Sequence, residues 1–258
     1  MLHKFLSAVS LLTRIPIKLS RNPDYSRVAV FFPLVGLILG IVTFLPALLL
    51  RVIIHSPLFI AFLLVLAQYC TSNLFHLDGL VDTADASGVF GNREKKYQVL
   101  KDSRIGVYGF FAGSMMLSGK IIVLFLLLEK QYLDAWASVM LAMIFGRYSA
   151  LLIAHFGNPV NTAGLGAALG KPSLIFSTGS SIACSLVPIT ILMRSGLVVP
   201  AAVIFFLTGV GAVIWAGFLT YWYAKNIGGY NGDAMGASIE ITELTALTVS
   251  VAVLGLFG

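Results

Sequence analysis

The sequence predicts an all-α protein, a polytopic bundle of about seven membrane-crossing helices with a cytoplasmic N-terminus. Three observations predict it. Hydrophobic residues make up 58% of the 258-residue chain and charged residues only 11%, whereas soluble domains carry roughly a quarter charged residues. The apolar residues gather into runs near the length of about 20 that a helix needs to cross a hydrocarbon core. The loop cations then fall almost entirely on alternate, same-side connections. A water-soluble fold would lack the polar material to cover its surface.

Taken in order, Leu2 to Ile17 is too short and too charged to cross, and predicts an interfacial helix within an N-terminal segment, 1–27. It has no small-residue cleavage site and so is not read as a removable signal. Val28 to Leu50 is uncharged between Arg27 and Arg51 and forms the clearest span, and Val52 to Phe75 returns as the second. Ile105 to Leu128, carrying Lys120, and Ala135 to Phe156, carrying Arg147, come next. Ser173 to Met193, Leu197 to Tyr223 and Ile239 to Phe257 complete the set. The whole chain, 1–258, reads as one integral membrane domain, with 76–104 and 225–238 as cytoplasmic loops bearing the site.

Orientation follows from the positive-inside rule. With the N-terminus inside, Lys4, Arg14, Lys18, Arg21, Arg27, Arg93, Lys95, Lys96, Lys101, Arg104, Lys171 and Lys225 are all cytoplasmic, and only Arg51, Lys130 and Arg194 lie outside. The net charge of +6 is explained by these loops and not by nucleic acid. Cys70 and Cys184 sit in apolar runs without metal-ligand spacing and read as packing residues.

The acids are distributed less evenly. Of 11 acidic residues, only Asp24, Glu129 and Asp134 lie outside two stretches on the cytoplasmic side. In the first, Asp78, Asp82 and Asp85 stand at i, i+4 and i+7, on one face of a helix. Like charges so placed repel, and no lysine interleaves with them; a divalent cation with a taste for oxygen ligands, such as Mg²⁺, offsets that cost. In the second, GGYNGDAMGASIEITE, Asp233, Gly236, Glu240 and Glu243 share a helical stripe. Glu240 and Glu243 fall at or inside the membrane boundary, where carboxylates are costly, and pairing with Lys120 or Arg147 is the structural alternative to a functional role.

Between the clusters, KDSRIGVYG (Lys101 to Gly109) places a lysine, an acid and an arginine just before a span. Lys101 and Arg104 suit phosphate oxygens, and Asp102 suits a metal or a proton. Together these residues fit phosphoryl transfer, where positioning and charge neutralisation supply most of the catalysis. GLGAALGKPS (Gly164 to Ser173) imitates a phosphate loop, but its spacing is wrong and Pro172 stands where Ser or Thr belongs. The GxxxG pairs Gly36 with Gly40 and Gly109 with Gly113 predict close helix packing. His76, next to the acids, is a candidate ligand or base; His3, His55 and His155 join no constellation.

FHLDGLVDTADA (Phe75 to Ala86), KDSRIGVYG and NGDAMGASIEITE (Asn231 to Glu243) resemble the signature blocks of the cobalamin synthase, or adenosylcobinamide-GDP ribazoletransferase, family. LLTRIP (Leu11 to Pro16), FFPLVGLILG (Phe31 to Gly40), Gly146-Arg147 and the GLG of Gly164 to Gly166 extend the resemblance from end to end. NPVNTAGLG (Asn158 to Gly166) departs from it, lacking the arginine expected before GLG. The resemblance implies a Mg²⁺-dependent enzyme of the cytoplasmic membrane that joins α-ribazole, or its 5′-phosphate, to adenosylcobinamide-GDP and releases GMP. It implies Asp78, Asp82, Asp85 and Asp102 as metal ligands and Asp82, Asp102 and Asp233 as catalytic residues. Lys101, Arg104, Asn231 and His76 would bind substrate, with the bilayer and a homo-oligomer as further partners. Two rivals remain. A CDP-alcohol phosphotransferase performs similar chemistry, but its acid order is absent here. A cation transporter would line a path with Glu240, Glu243, Arg147 and Lys120.

Overall fold

The computed structural model describes residues 1–17, 25, 28–72, 74–161 and 165–257. Lys18, Arg21, Asp24, Arg27 and Gly164, and with them the later part of segment 1–27, lie outside the described residues. Among those described, the order is α1 (Leu2–Leu12), a 3-10 turn (Val28–Phe31), α2 (Phe32–Leu50), α3 (Pro57–Thr71), α4 (Phe75–Gly88), α5 (Arg93–Leu100) and α6 (Val107–Lys130). Then follow α7 (Tyr132–Phe156), α8 (Leu165–Ala168), α9 (Leu174–Arg194), α10 (Val198–Asn226) and α11 (Gly232–Phe257).

Helix α7 is the axis of the bundle. Its most apolar stretch is 100% buried, and α2, α9, α10 and α11 pack around it. The close approach of α2 is set by glycine, as the GxxxG spacing predicts. A side chain at Gly36 would strike the Met143 backbone, and one at Gly40 would stand 2.8 Å from the Met140 Cα. The indole of Trp136 donates to the Gly40 carbonyl at 3.1 Å across the same seam.

Among the described residues, six helices are long and apolar enough to cross a membrane: the Val28–Leu50 unit, α6, α7, α9, α10 and α11. The second predicted span, Val52 to Phe75, is not a single helix. Pro57 starts α3 behind the Ser56 cap, Ser72 is extended and bridged to Thr13, and α4 begins at Phe75. The 15 residues of α3 nonetheless return the chain. Arg51 stacks over Tyr132 at the start of α7, whereas α4 packs on the opening turns of α6 and α11. The last span starts earlier than expected, at Gly232, so Asp233 lies on its first turn.

The predicted loop 76–104 is largely helical, as α4 and α5, and 225–238 joins the end of α10 to the start of α11. One end of the bundle therefore collects α1, α4, α5 and the starts of α6 and α11. Lys101, Arg93, Lys96 and Lys225 sit there, with the Arg93 Nε donating to the Lys225 carbonyl at 2.8 Å and the Lys96 ammonium to Asn226 at 2.6 Å. Arg51 and Lys130 mark the opposite end, the latter donating to the Leu254 carbonyl at 2.8 Å.

Candidate active site

The three aspartates of α4 do share a helix, but at three depths. Asp78 is exposed, Asp82 half-buried and Asp85 buried. Asp85 turns to α6: its Oδ2 accepts the Gly106 amide at 2.7 Å and its Oδ1 the Gly109 amide at 2.8 Å. Any side chain at either glycine would collide with this carboxylate. An anion at a helix N-terminus satisfies orphan amides and meets the positive end of the helix dipole. Asp85, expected as a metal ligand, is thus first of all the cap that seats the KDSRIGVYG block.

Asp78 and Asp82 meet Asp233 across the α4–α11 contact. A Cβ on Gly79 would lie 2.7 Å from the Asp233 carbonyl oxygen, and one on Gly236 2.9 Å from the His76 Cα. Backbones this close bring the carboxylates of both predicted clusters together. Asn231 caps α11 by accepting the Ala234 amide at 3.1 Å and donates to Asp233 Oδ2 at 2.5 Å. It is therefore a positioning group before it is a substrate contact. Burial, then the nearby charges of Asp78, Asp233 and Asp85, push Asp82 from the usual 3.8 up to about 7, with Lys101 acting in the opposite sense. Among the described residues no three His, Cys, Asp or Glu side chains stand as a ready-made metal cage. The donor set still fits Mg²⁺, which takes oxygen ligands and is commonly held by one or two carboxylates plus substrate phosphates. A concentration of carboxylates that raises the pKa of its own member is an environment that a cation relieves.

Asp102 and Arg104 behave differently. They form an exposed pair with each other, Arg104 Nη2 to Asp102 Oδ2 at 2.6 Å, reinforced by the Arg104 backbone amide at 3.0 Å. The guanidinium holds the Asp102 carboxyl well below the usual carboxylate range. Neither lines the two cavities beside the acids. Lys101 does line one of them, with Tyr97, Asn161, Asn231 and Asp233. His76 is buried and lines the other, with Asp78 and Asp233. Burial, with Arg147 nearby, pushes it down to about 3, which favours the neutral ring.

Several contributors had little signal in the sequence. Tyr223 of α10, fully buried, shares a 2.7 Å hydrogen bond with Thr83, between Asp82 and Asp85. Tyr230 clamps the loop after α7: its hydroxyl donates to the Gly166 carbonyl at 2.9 Å, its amide to Asn158 at 2.9 Å, and its carbonyl accepts from Val160 at 2.9 Å. This carries Asn161 and Gly166 to the site even though the loop lacks the expected arginine.

Deeper in the bundle, Lys120 donates to Glu240 and Glu243, both at 2.7 Å, and Arg147 pairs with Glu243. Gln68 donates to Glu243 at 2.5 Å and Tyr69 to Glu240 at 2.7 Å. All four charged side chains are at most 2% exposed. This is the pairing anticipated as structural glue, sunk within the bundle, and not a row of groups along an open path.

A family model described as cobalamin-5-phosphate synthase matches residues 4–251. A relative from Klebsiella pneumoniae (strain 342), named adenosylcobinamide-GDP ribazoletransferase, is 34% identical over 96% of this chain and 98% of its own length. Relatives with the same name from Geotalea daltonii and Alkaliphilus oremlandii are 30% and 29% identical, covering 100% and 94% of this chain and the same shares of their own lengths. No solved structure matches the chain.

Proposed function

The chain belongs to the cobalamin-5-phosphate synthase family, and on that premise we propose that it joins α-ribazole, or its 5′-phosphate, to adenosylcobinamide-GDP with release of GMP. The observation that carries the reading is the convergence of Asp78, Asp82 and Asp233 from two helices, with Lys101 beside them. A ribazole hydroxyl oxygen forms a bond to the phosphorus attached to cobinamide. The bond from that phosphorus to the bridging oxygen breaks, and GMP leaves with the electron pair. Asp233, which lines both cavities and is oriented by Asn231, is the group we assign to the hydroxyl proton. Asp102, tied to Arg104 at the surface, is the weaker candidate for that role.

Lys101 neutralises diphosphate charge from the neighbouring cavity. Asp78 and Asp82 would hold Mg²⁺, which when bound supplies neutralisation of the diphosphate oxygens. Loop cations at the site end argue that this end faces the cytoplasm and that the bundle resides in the cytoplasmic membrane. Burial of the Glu240 and Glu243 network argues against transport.

Purified protein in lipid, given adenosylcobinamide-GDP and α-ribazole, is expected to release GMP with Mg²⁺ and to stop on chelation. No GMP under any condition overturns the activity, and turnover undiminished by chelation overturns the metal. Asp82→Asn is expected to insert normally and to lose turnover.

A further inference from the structure

Two cavities meet at Asp233, and their chemistry differs. The first, about 220 Å³, is walled by Leu12, Phe32, Met235 and Ile239, with Asp78 and Asp233 among its polar groups. Among the described residues no lysine or arginine lines it. The second, about 210 Å³, sets Lys101, Asn161 and Asn231 around the same Asp233. Gly166 and Gly232 belong to both walls, so the cavities are neighbours with a shared edge.

These linings sort the two substrates. The second cavity sets Lys101 in its wall and the first, among the described residues, no lysine or arginine, so the anionic diphosphate is better held in the second. A neutral nucleoside suits the first: ribose hydroxyls donate to carboxylates, and the apolar walls cover a flat aromatic base. Ribazole carries such a base, a dimethyl-substituted benzimidazole. The volume, about 220 Å³, lies below the roughly 300 Å³ at which drug-sized pockets begin. It holds a bicyclic base and excludes a corrin macrocycle. The second cavity offers what an anionic arm requires, a lysine and two amides.

We propose that the first cavity is the acceptor pocket: it takes the benzimidazole base of ribazole and leaves the reacting ribose hydroxyl at Asp233. The second receives the diphosphate arm of adenosylcobinamide-GDP. This rests on the transfer reaction proposed above and adds to it the division of labour between the cavities. Leu12, Phe32, Met235 and Ile239 then determine which bases are accepted, whereas Lys101 has no part in base choice.

The test uses the full-length protein in lipid. Met235→Trp fills the first cavity and is expected to raise the KM for α-ribazole by roughly tenfold or more, the scale of misfit in an apolar pocket. The KM for adenosylcobinamide-GDP should stay close to its original value. Lys101→Met should do the reverse. Met235→Ala, which removes volume and is gentle to the fold, should broaden the range of bases accepted. Equilibrium binding of 5,6-dimethylbenzimidazole, read by calorimetry, needs no turnover. It is expected in the parent protein and in Lys101→Met, and lost in Met235→Trp. A Met235→Trp protein whose defect lies in adenosylcobinamide-GDP, or one that binds the free base unchanged, overturns the assignment. Absence of GMP release with base binding intact strikes the transfer reaction and leaves the pocket standing.

Discussion

Asp82 and Asp85 stand three positions apart on one helix and have different work. Asp85 holds two backbone amides of α6. Replacing it by alanine should cost on the order of 1–2 kcal/mol, as for a lost helix cap, read as a lower midpoint of thermal unfolding in detergent. Asp82→Asn removes like-charge repulsion and should leave that midpoint unchanged or higher, while turnover vanishes. The metal-free protein should also depend on pH. Asp82 keeps its proton up to about 7 when folded, against an ordinary 3.8, so the native state binds more protons across that window. Stability of the metal-free protein should then fall as pH rises from about 4 to 7 and level off above. Metal binding must displace that proton, so affinity for Mg²⁺ should climb over the same range. An affinity that is flat between pH 5 and 7, by Mg²⁺ titration, would refute this.

At the level of elements, the decisive contact is α4 against α11. Gly79→Ala places a methyl group 2.7 Å from the Asp233 carbonyl oxygen. The obstacle is backbone and cannot swing aside, so the two helices must separate, at a cost of about 1–3 kcal/mol. Because Asp78 and Asp233 ride on opposite sides of that contact, activity should fall further than stability does. Comparing turnover with the unfolding midpoint checks this, and equal losses would argue against it. Much at this scale was legible. The 3.6-residue period of Asp78, Asp82 and Asp85, the apolar runs and the GxxxG pairs each encode a helix or a close crossing locally. Depth and partners were not. Periodicity gives a face but cannot say that Asp85 meets α6 amides while Asp78 faces water, nor that Asp102 would close on Arg104, two residues away. Tyr223, Tyr230 and Asn161 reach the site through contacts between distant segments, for which a single sequence holds no spacing signal. The break between α3 and α4 was hidden because Ser72 and its neighbours interrupt an apolar run without a proline or a charge.

For the whole molecule, the buried Lys120, Arg147, Glu240 and Glu243 network ties α3, α6, α7 and α11 together beneath the site. Its charges balance, so removing one is worse than removing the set. Lys120→Met leaves Glu240 and Glu243 without their shared partner and should destabilise by about 3–5 kcal/mol. Combining Lys120→Met with Glu240→Gln should recover part of the loss, measured by unfolding in mixed micelles. No recovery would mean that the pair is not coupled. Since α11 carries both this network and Asp233, a shift of the helix along its axis would pull the acid away from α4.

Helix α3 has a further consequence for the lipid around it. Its 15 residues rise about 22 Å at 1.5 Å each, against a hydrocarbon core of about 30 Å. Its exposed row, Leu58, Phe59, Phe62 and Leu66, therefore cannot match a bilayer of ordinary thickness over its full height. Hydrophobic mismatch of this kind is met by local thinning of the membrane. Thinning beside α3 would lower the water surface toward α4, so that the acids and their polar substrates meet at the bottom of a dimple and not on a plain.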